Sequence, residues 1–170
     1  MLAEILVLRL IHIVGGIFWV GSSLFTALFL APALTTSGVN AGQVFGALQQ
    51  RRLFTALPLV AVCVILSGMR LMWIASAGSA TFFASTPGHA FGAAGGCAIL
   101  AFAISLVVGR PTAVRSARLG AAVATATDEE RPKIMAQLAA LRTRGARANA
   151  LTTALLTLAA VGMSVARYLP

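Results

Sequence analysis

Four apolar stretches, each about as long as a helix that crosses a bilayer, constrain this chain more than any other feature. They cover residues 5–31, 53–75, 90–108 and 148–166. The hydrocarbon core of a bilayer requires about 20 consecutive apolar residues in helical form, and stretches of this length are typical of transmembrane segments. The sequence therefore predicts four membrane-spanning helices.

The composition indicates the same class of protein. Hydrophobic residues make up 59% of the chain and charged residues only 10%, and the mean hydropathy is +0.92. An average soluble domain is about 45–50% apolar and about 25% charged. We therefore predict an all-α integral membrane protein, a four-helix up-and-down bundle that forms a single domain over residues 1–170.

The first apolar stretch is predicted to be a retained helix. It is longer than the core of a signal peptide, which is about 7 to 15 residues, and it contains Arg9 and His12. We expect this helix to end near Pro32, because proline and the turn-forming residues 35–38 follow the last apolar residues.

The distribution of arginine predicts the orientation in the membrane. Segment 110–147 contains eight of the thirteen basic residues, whereas the loop 76–88 contains no charge. Basic loops remain on the cytoplasmic side of a membrane. The sequence thus predicts a bacterial-type inner-membrane protein with a cytoplasmic segment 110–147 and both termini outside.

Segment 110–147, called here the arm, is predicted to be arginine-rich and amphipathic. We expect a helix to about Thr125, a break near Thr127 and Asp128, and a second helix that continues into the last span. Ile134 and Leu138 begin an apolar stripe at helical spacing. The arm is expected to contact membrane lipids through their anionic headgroups, and not nucleic acid.

This orientation brings five ionisable residues to the external ends of the four predicted spans. They are Arg9, His12, Arg70, His89 and Arg167. Ionisable groups at this depth are unfavourable unless they reach the headgroups, pair with each other or bind a ligand. We therefore predict a functional site at this end of the molecule, called here the rim, and we expect His12 and His89 to lie at similar depths.

The sequence contains none of the familiar motifs of soluble enzymes. It has no glycine-rich phosphate loop, no HExxH motif and no paired carboxylates within the spans. Whether the protein is an enzyme stays open. Cys63 and Cys97 have no CxxC spacing, so we expect buried and unreactive thiols.

The residue types at the rim suit two cofactors. In the first interpretation, the protein binds haem b, since imidazole ligates haem iron and arginine pairs with the propionates. The haem ligand is then His12, with His89 as the candidate second ligand, and the propionate partners are Arg9, Arg70 or Arg167. In the second, imidazole and thioether groups bind copper. The candidate copper ligands are His12, His89, Met69, Met72 and Met163.

A third interpretation requires no cofactor. The protein is then a structural subunit of a larger membrane complex, or a homo-oligomer, and the side chains of the rim only extend toward the headgroups.

The first helix resembles that of a known membrane family. His12 is followed after six residues by Trp19-Val20-Gly21, and the helix ends in the sequence 29–34, Phe-Leu-Ala-Pro-Ala-Leu. This pattern resembles the copper-resistance D (CopD) family of membrane proteins over about the first 30 residues. The resemblance implies a four-helix membrane fold and a role for His12 in copper handling.

The same spacing of histidine and tryptophan is similar to that of the HemJ-type protoporphyrinogen oxidases. These proteins bind haem b through a histidine of the first helix, and the similarity implies the same role for His12. They also use a lysine within the membrane, whereas the only lysine here is Lys133, in the arm. This departure from the pattern counts against the oxidase activity and leaves haem binding without that activity open.

Overall fold

The computed structural model describes residues 1–36, 41–123 and 125–169, and these residues form helices and turns without a β-strand. The α-helices are α1 (Leu2–Phe25), α2 (Ala31–Thr36), α3 (Ala41–Gln50), α4 (Leu53–Ser76), α5 (Ala80–Ala84), α6 (Thr86–Ile104), α7 (Arg110–Ala122) and α8 (Arg131–Val165). A π-helical turn, Thr26–Leu30, joins α1 to α2, and a second, Ser105–Gly109, joins α6 to α7. The last helical turn, Ala166–Tyr168, is a 3₁₀ turn.

Four of the described helical segments are long and apolar enough to cross a membrane. They are Leu2–Leu34, Leu53–Ser76, Thr86–Ala122 and Arg131–Tyr168. Their outward faces are apolar as well, since side chains such as Ile17, Leu66 and Leu158 are more than half exposed. Helices that are apolar on all sides are typical of membrane spans. The predicted all-α class is therefore confirmed, and the four long apolar helices are compatible with a multi-pass membrane protein.

The first helical segment is longer than predicted, and the expected stop at Pro32 is wrong. Helix α2 continues to Thr36, and Pro32 is its second residue. The π-helical turn Thr26–Leu30 lies directly before Pro32 and departs from the regular i→i−4 hydrogen-bond pattern that proline interrupts. The π-helical turn before α2 therefore places Pro32 where it does not end the segment.

The helix–break–helix pattern predicted for the arm is confirmed. Helix α7 ends at Ala122, and α8 then runs for 35 residues without interruption from the arm into the last span. Just before α8, the Glu130 carboxylate accepts hydrogen bonds from the backbone N–H and the hydroxyl of Thr127, at 3.2 and 2.9 Å. These bonds hold the turn from which the long helix begins.

The helices pack mainly in two antiparallel pairs, α1 with α4 and α6 with α8, and smaller contacts join α1 to α8 and α4 to α6. In the first pair, Glu4 lies beside Arg70, and Gly15 faces Val64. Residue numbers thus rise along α1 as they fall along α4. The beginning of α1, the end of α4 and the beginning of α6 consequently lie at one end of the molecule.

The buried core is small and consists mostly of small side chains. Its members are Trp19, Ala61, Val64, Ala98, Ala101, Leu156 and Ala159. Trp19 is the largest, and its ring meets that of Phe102 edge-to-face, with centroids 6.2 Å apart. This aromatic contact links α1 to α6 across the middle of the molecule.

Glycine permits the close approach of the helices in each main pair. A Cβ atom on Gly15 would lie 2.7 Å from Val64 Cγ2, and one on Gly162 would lie 3.1 Å from the Cβ of Ala94. Apolar helices gain little from mutual burial in lipid, so close packing at small residues is a main source of their association. The contacts at Gly15 and Gly162 are of this kind.

Replacement of the two adjacent glycines of α1 by alanine should have opposite effects. Gly15→Ala should lower the thermal unfolding temperature in detergent, because overpacking costs about 1–3 kcal/mol. Gly16→Ala should be neutral or stabilising, since no atom lies within 4 Å of a Cβ there and alanine favours helix. Circular dichroism at 222 nm measures both. Equal unfolding temperatures would contradict the packing of α1 on α4.

Candidate functional site

His12 joins α1 to α4 through a hydrogen bond between its side chain and the backbone. Its Nδ1 atom lies 2.8 Å from the carbonyl oxygen of Val64. A carbonyl oxygen only accepts, so Nδ1 must carry the proton, and in a neutral imidazole the lone pair then resides on Nε2. A backbone carbonyl holds many metal-ligating histidines in this tautomer.

Ser67 and Gly68 shape the surface of α4 on which the imidazole lies. The Ser67 hydroxyl is 3.4 Å from His12 Nδ1 and donates to the backbone carbonyl groups of Cys63, at 2.7 Å, and Val64, at 3.0 Å. A Cβ atom on Gly68 would lie only 2.6 Å from the Cε1 atom of His12. Any larger residue at position 68 would therefore displace the ring. This requirement at position 68 was not predicted from the sequence.

Arg70 has a carboxylate partner at the rim. Its Nε and Nη2 atoms donate to the Glu4 Oε1 atom at 2.9 and 2.7 Å. The two side chains are 50% and 40% exposed, so the ion pair lies at the surface of the helices. Glu4 was missed because it precedes the first apolar stretch. The Arg70 charge is thus already compensated within the chain.

A cleft of about 310 Å³ opens at the rim where α1, α4, α5 and α6 meet. It is lined by Ile5, Arg9, Leu71, Met72, Ile74, Ala75, Phe82 and Phe91. Arg9 is the one charged side chain in this lining, and among the described residues no carboxylate lies within 4 Å of it. The cleft therefore combines an apolar wall, a thioether and an unpaired guanidinium.

His89 lies apart from His12. It is exposed in the first turn of α6, and its backbone N–H donates to the Ser85 carbonyl at 3.0 Å. The Trp19–Phe102 contact marks one level on α1 and α6, which run in the same direction. At about 1.5 Å per residue, His12 lies roughly 10 Å from that level and His89 roughly 20 Å. The two histidines therefore do not share a depth, in contrast to our expectation.

The remaining candidates also lie in separate places. The Arg167 guanidinium stacks 4.9 Å from the centroid of the Tyr168 ring, Met69 is 59% exposed, and Met163 is half-buried on α8. Among the described residues, no three His, Cys, Asp or Glu side chains are grouped to hold a metal ion. The structure thus brings together Arg9 and Met72, and separately Glu4 and Arg70.

The cysteines differ in part from expectation. Both are free thiols, but Cys63 is exposed and Cys97 is only partly buried. Cys63 occupies the outward face of α4, where its neighbour in a membrane is lipid. The expectation of two buried thiols is therefore wrong.

Comparisons of the chain with protein-family models, with curated proteins and with solved structures find no match. The resemblances of the first helix to the CopD family and to the HemJ-type oxidases stay predictions.

Exchange of the two charges at the rim should test the Glu4–Arg70 pair. Glu4→Arg and Arg70→Glu should each lower the unfolding temperature, and the double exchange should recover most of the loss. Because both side chains are partly exposed, we expect a coupling energy of at most about 1 kcal/mol that decreases in high salt. A double-mutant cycle by thermal unfolding measures it. Additive effects of the single exchanges would contradict the pair.

Proposed function

We propose that this protein is a multi-pass membrane protein, a four-helix up-and-down bundle, that binds haem b near its external face through the Nε2 atom of His12. The observation that carries the proposal is the hydrogen bond from His12 Nδ1 to the Val64 carbonyl. It orients the ring and leaves the Nε2 lone pair for a ligand.

The position of this imidazole favours a ligand over simple solvation. His12 is half-buried between two apolar helices, where a polar ring requires partners. The Val64 carbonyl satisfies Nδ1, and no protein hydrogen bond is formed by Nε2 within the described residues. Haem iron is a natural partner for such an atom, and a bound b-type haem supplies one-electron redox chemistry.

Arg9 is the best candidate for pairing with a haem propionate. It precedes His12 by three residues, so both lie on the same face of α1 about one turn apart. Arg9 also lines the apolar cleft beside Phe82 and Phe91 and has no carboxylate partner. Arg70 suits this role less well because it already pairs with Glu4.

The size of the cleft limits how haem would be held. Ligand pockets are about 300–1,000 Å³ in volume, and the cleft of about 310 Å³ is at the lower end of this range. It accepts part of a macrocycle, and the remainder would contact lipid. Arg9 would pair with a propionate from within the cleft, and His12, which lies outside the cleft lining on the same face of α1, would supply the imidazole ligand.

A visible spectrum of the detergent-purified protein, oxidised and reduced with dithionite, tests the haem proposal. We expect a Soret band that is lost in His12→Ala and retained in the control variant His89→Ala. Gly68→Ala should weaken haem retention because its Cβ displaces the imidazole, and Arg9→Gln should weaken it several-fold through loss of the propionate contact. A Soret band that is unchanged in His12→Ala would exclude His12 as the ligand.

Copper binding is the second candidate, and the position of Met72 favours it. Met72 lies in the cleft beside Arg9, and a thioether with an imidazole suits Cu(I). Metal analysis of the same preparations separates the two proposals. If the protein is colourless and contains copper, and the copper is lost in His12→Ala and Met72→Leu but not in the exposed control Met69→Leu, then the bound cofactor is copper and not haem.

If the protein is colourless and metal-free, the role of His12 is only to hold α1 against α4, as the accessory-subunit interpretation requires.

The orientation is part of the proposal, with the arm in the cytoplasm and both termini outside. Labelling of single cysteines in intact cells by a membrane-impermeant maleimide tests it, in a Cys63→Ala/Cys97→Ala background. Ser79→Cys should be labelled directly, because it lies in the uncharged loop before α5. Ser116→Cys, in the arm, should react only after the membrane is permeabilised. The reverse pattern would invert the orientation.

A further inference from the structure

A second, larger cavity lies part-way along α8, on the side of the Trp19–Phe102 contact that faces away from the rim. It is a groove of about 720 Å³ between α8 and the region where α6 gives way to the π-helical turn Ser105–Gly109. Its lining residues are Ile104, Val108, Ala140, Thr143, Arg144, Arg147, Ala148 and Leu151. The groove shares no residue with the cleft at the rim, so its role is independent of the proposed cofactor.

The groove is polar at one end and apolar at the other. Residues 144, 147 and 151 are three and four positions apart, so their side chains follow one face of α8. At about 1.5 Å per residue, Arg144 and Leu151 are roughly 10 Å apart along the helix. Ile104 and Val108 continue the apolar part on the facing segment. The groove is therefore polar near Arg144 and apolar near Leu151, as the headgroup and the acyl chain of an amphiphile are.

Its two arginines have no acidic partner. In the described ranges, the salt bridges are those of Arg70 with Glu4 and of Arg131 with Asp128. Arg144 and Arg147 are exposed one turn apart, and neither has a carboxylate within 4 Å. Two neighbouring guanidinium groups beside an apolar surface favour an anion, and the guanidinium fork matches the geometry of phosphate as well as carboxylate.

The local backbone helps to form the groove. The π-helical turn adds one residue to the helical turn at Ser105–Gly109 and locally widens the helix. Beyond it, Thr112 of α7 packs closely on α8, since a Cβ on Gly145 would lie 3.3 Å from Thr112 Cγ2. The contact fixes α7 against α8 next to the arginines, so the groove is part of the packed structure.

We infer that this groove binds an anionic glycerophospholipid, with its phosphate held by Arg144 and Arg147 and an acyl chain along Ile104, Val108 and Leu151. Free phosphate would pair with the two arginines but would leave the apolar part of the groove exposed. An apolar helix of another protein would cover the apolar part but bury two unpaired charges, which is unfavourable. A phospholipid satisfies both parts, and basic pockets between spans are known to bind such headgroups.

Native mass spectrometry of the detergent-solubilised protein with phosphatidylglycerol or phosphatidylcholine tests the inference. We expect a discrete adduct of one phosphatidylglycerol that persists when phosphatidylcholine is in excess. Arg144→Gln with Arg147→Gln should weaken this adduct about tenfold. The matched control, Arg115→Gln with Arg142→Gln, removes the same charge from the arm outside the groove and should change binding by less than about threefold. An equal loss of phosphatidylglycerol binding in both double variants would mean that the arm attracts the lipid only through its overall charge, and it would overturn the site.

Two further measurements test the apolar part of the groove. Ala148→Trp fills the groove without a change in charge and should abolish the adduct. Ala148→Leu is a milder second variant should tryptophan prevent folding. Glycerol phosphate alone should compete poorly, because it lacks acyl chains. Retention of the adduct in both filled variants would overturn the acyl-chain assignment. A protein dimer that forms in place of the lipid adduct and is lost in Ala148→Trp would identify a second copy of the chain as the occupant instead.

Discussion

The close approach of α1 and α4 depends on glycine at the two points where their surfaces meet. At Gly15 the side chain of Val64 occupies the space that a Cβ would need, and at Gly68 the imidazole of His12 does so. The hydrogen bond from His12 to the Val64 carbonyl is possible only at this separation. Because the helices gain little from apolar burial in lipid, such packing and hydrogen bonding must hold them together. The positions of the rim and of the Trp19 core along α1 both depend on this alignment of α1 with α4.

The scarcity of acidic residues divides the molecule into two chemically different ends. The chain contains four acidic and thirteen basic residues. At the rim, Glu4 neutralises Arg70, and Arg9 is left as the one unpaired charge in an apolar cleft. On the other side of the Trp19–Phe102 contact, Arg144 and Arg147 lie together without a carboxylate beside an apolar groove. Each unpaired guanidinium at an apolar surface favours an anionic ligand, which is a propionate in one proposal and a phospholipid phosphate in the other.

Features that depend on a local sequence pattern could be predicted from the sequence. The four spans and the break before α8 follow from hydropathy and from the turn-forming residues near Thr127, which act over a few positions. Pro32 and Cys63 were misjudged for different reasons. The effect of Pro32 depends on its place within a helical turn, and the exposure of Cys63 depends on which face of α4 meets its neighbours. Glu4 was overlooked because it lies outside the apolar stretch, although a carboxylate so near the start of an apolar helix is itself a signal.

The sequence by itself determined the helical class, the number of spans and the concentration of positive charge at one end, because hydropathy and charge act through composition over each segment. Only the tertiary structure decided which polar side chains have partners. His12 contacts the backbone of α4, Arg70 pairs with Glu4, and His89 is exposed in the first turn of α6. These outcomes depend on the pairing, rotation and depth of the helices, and those arise from contacts between residues more than 50 positions apart.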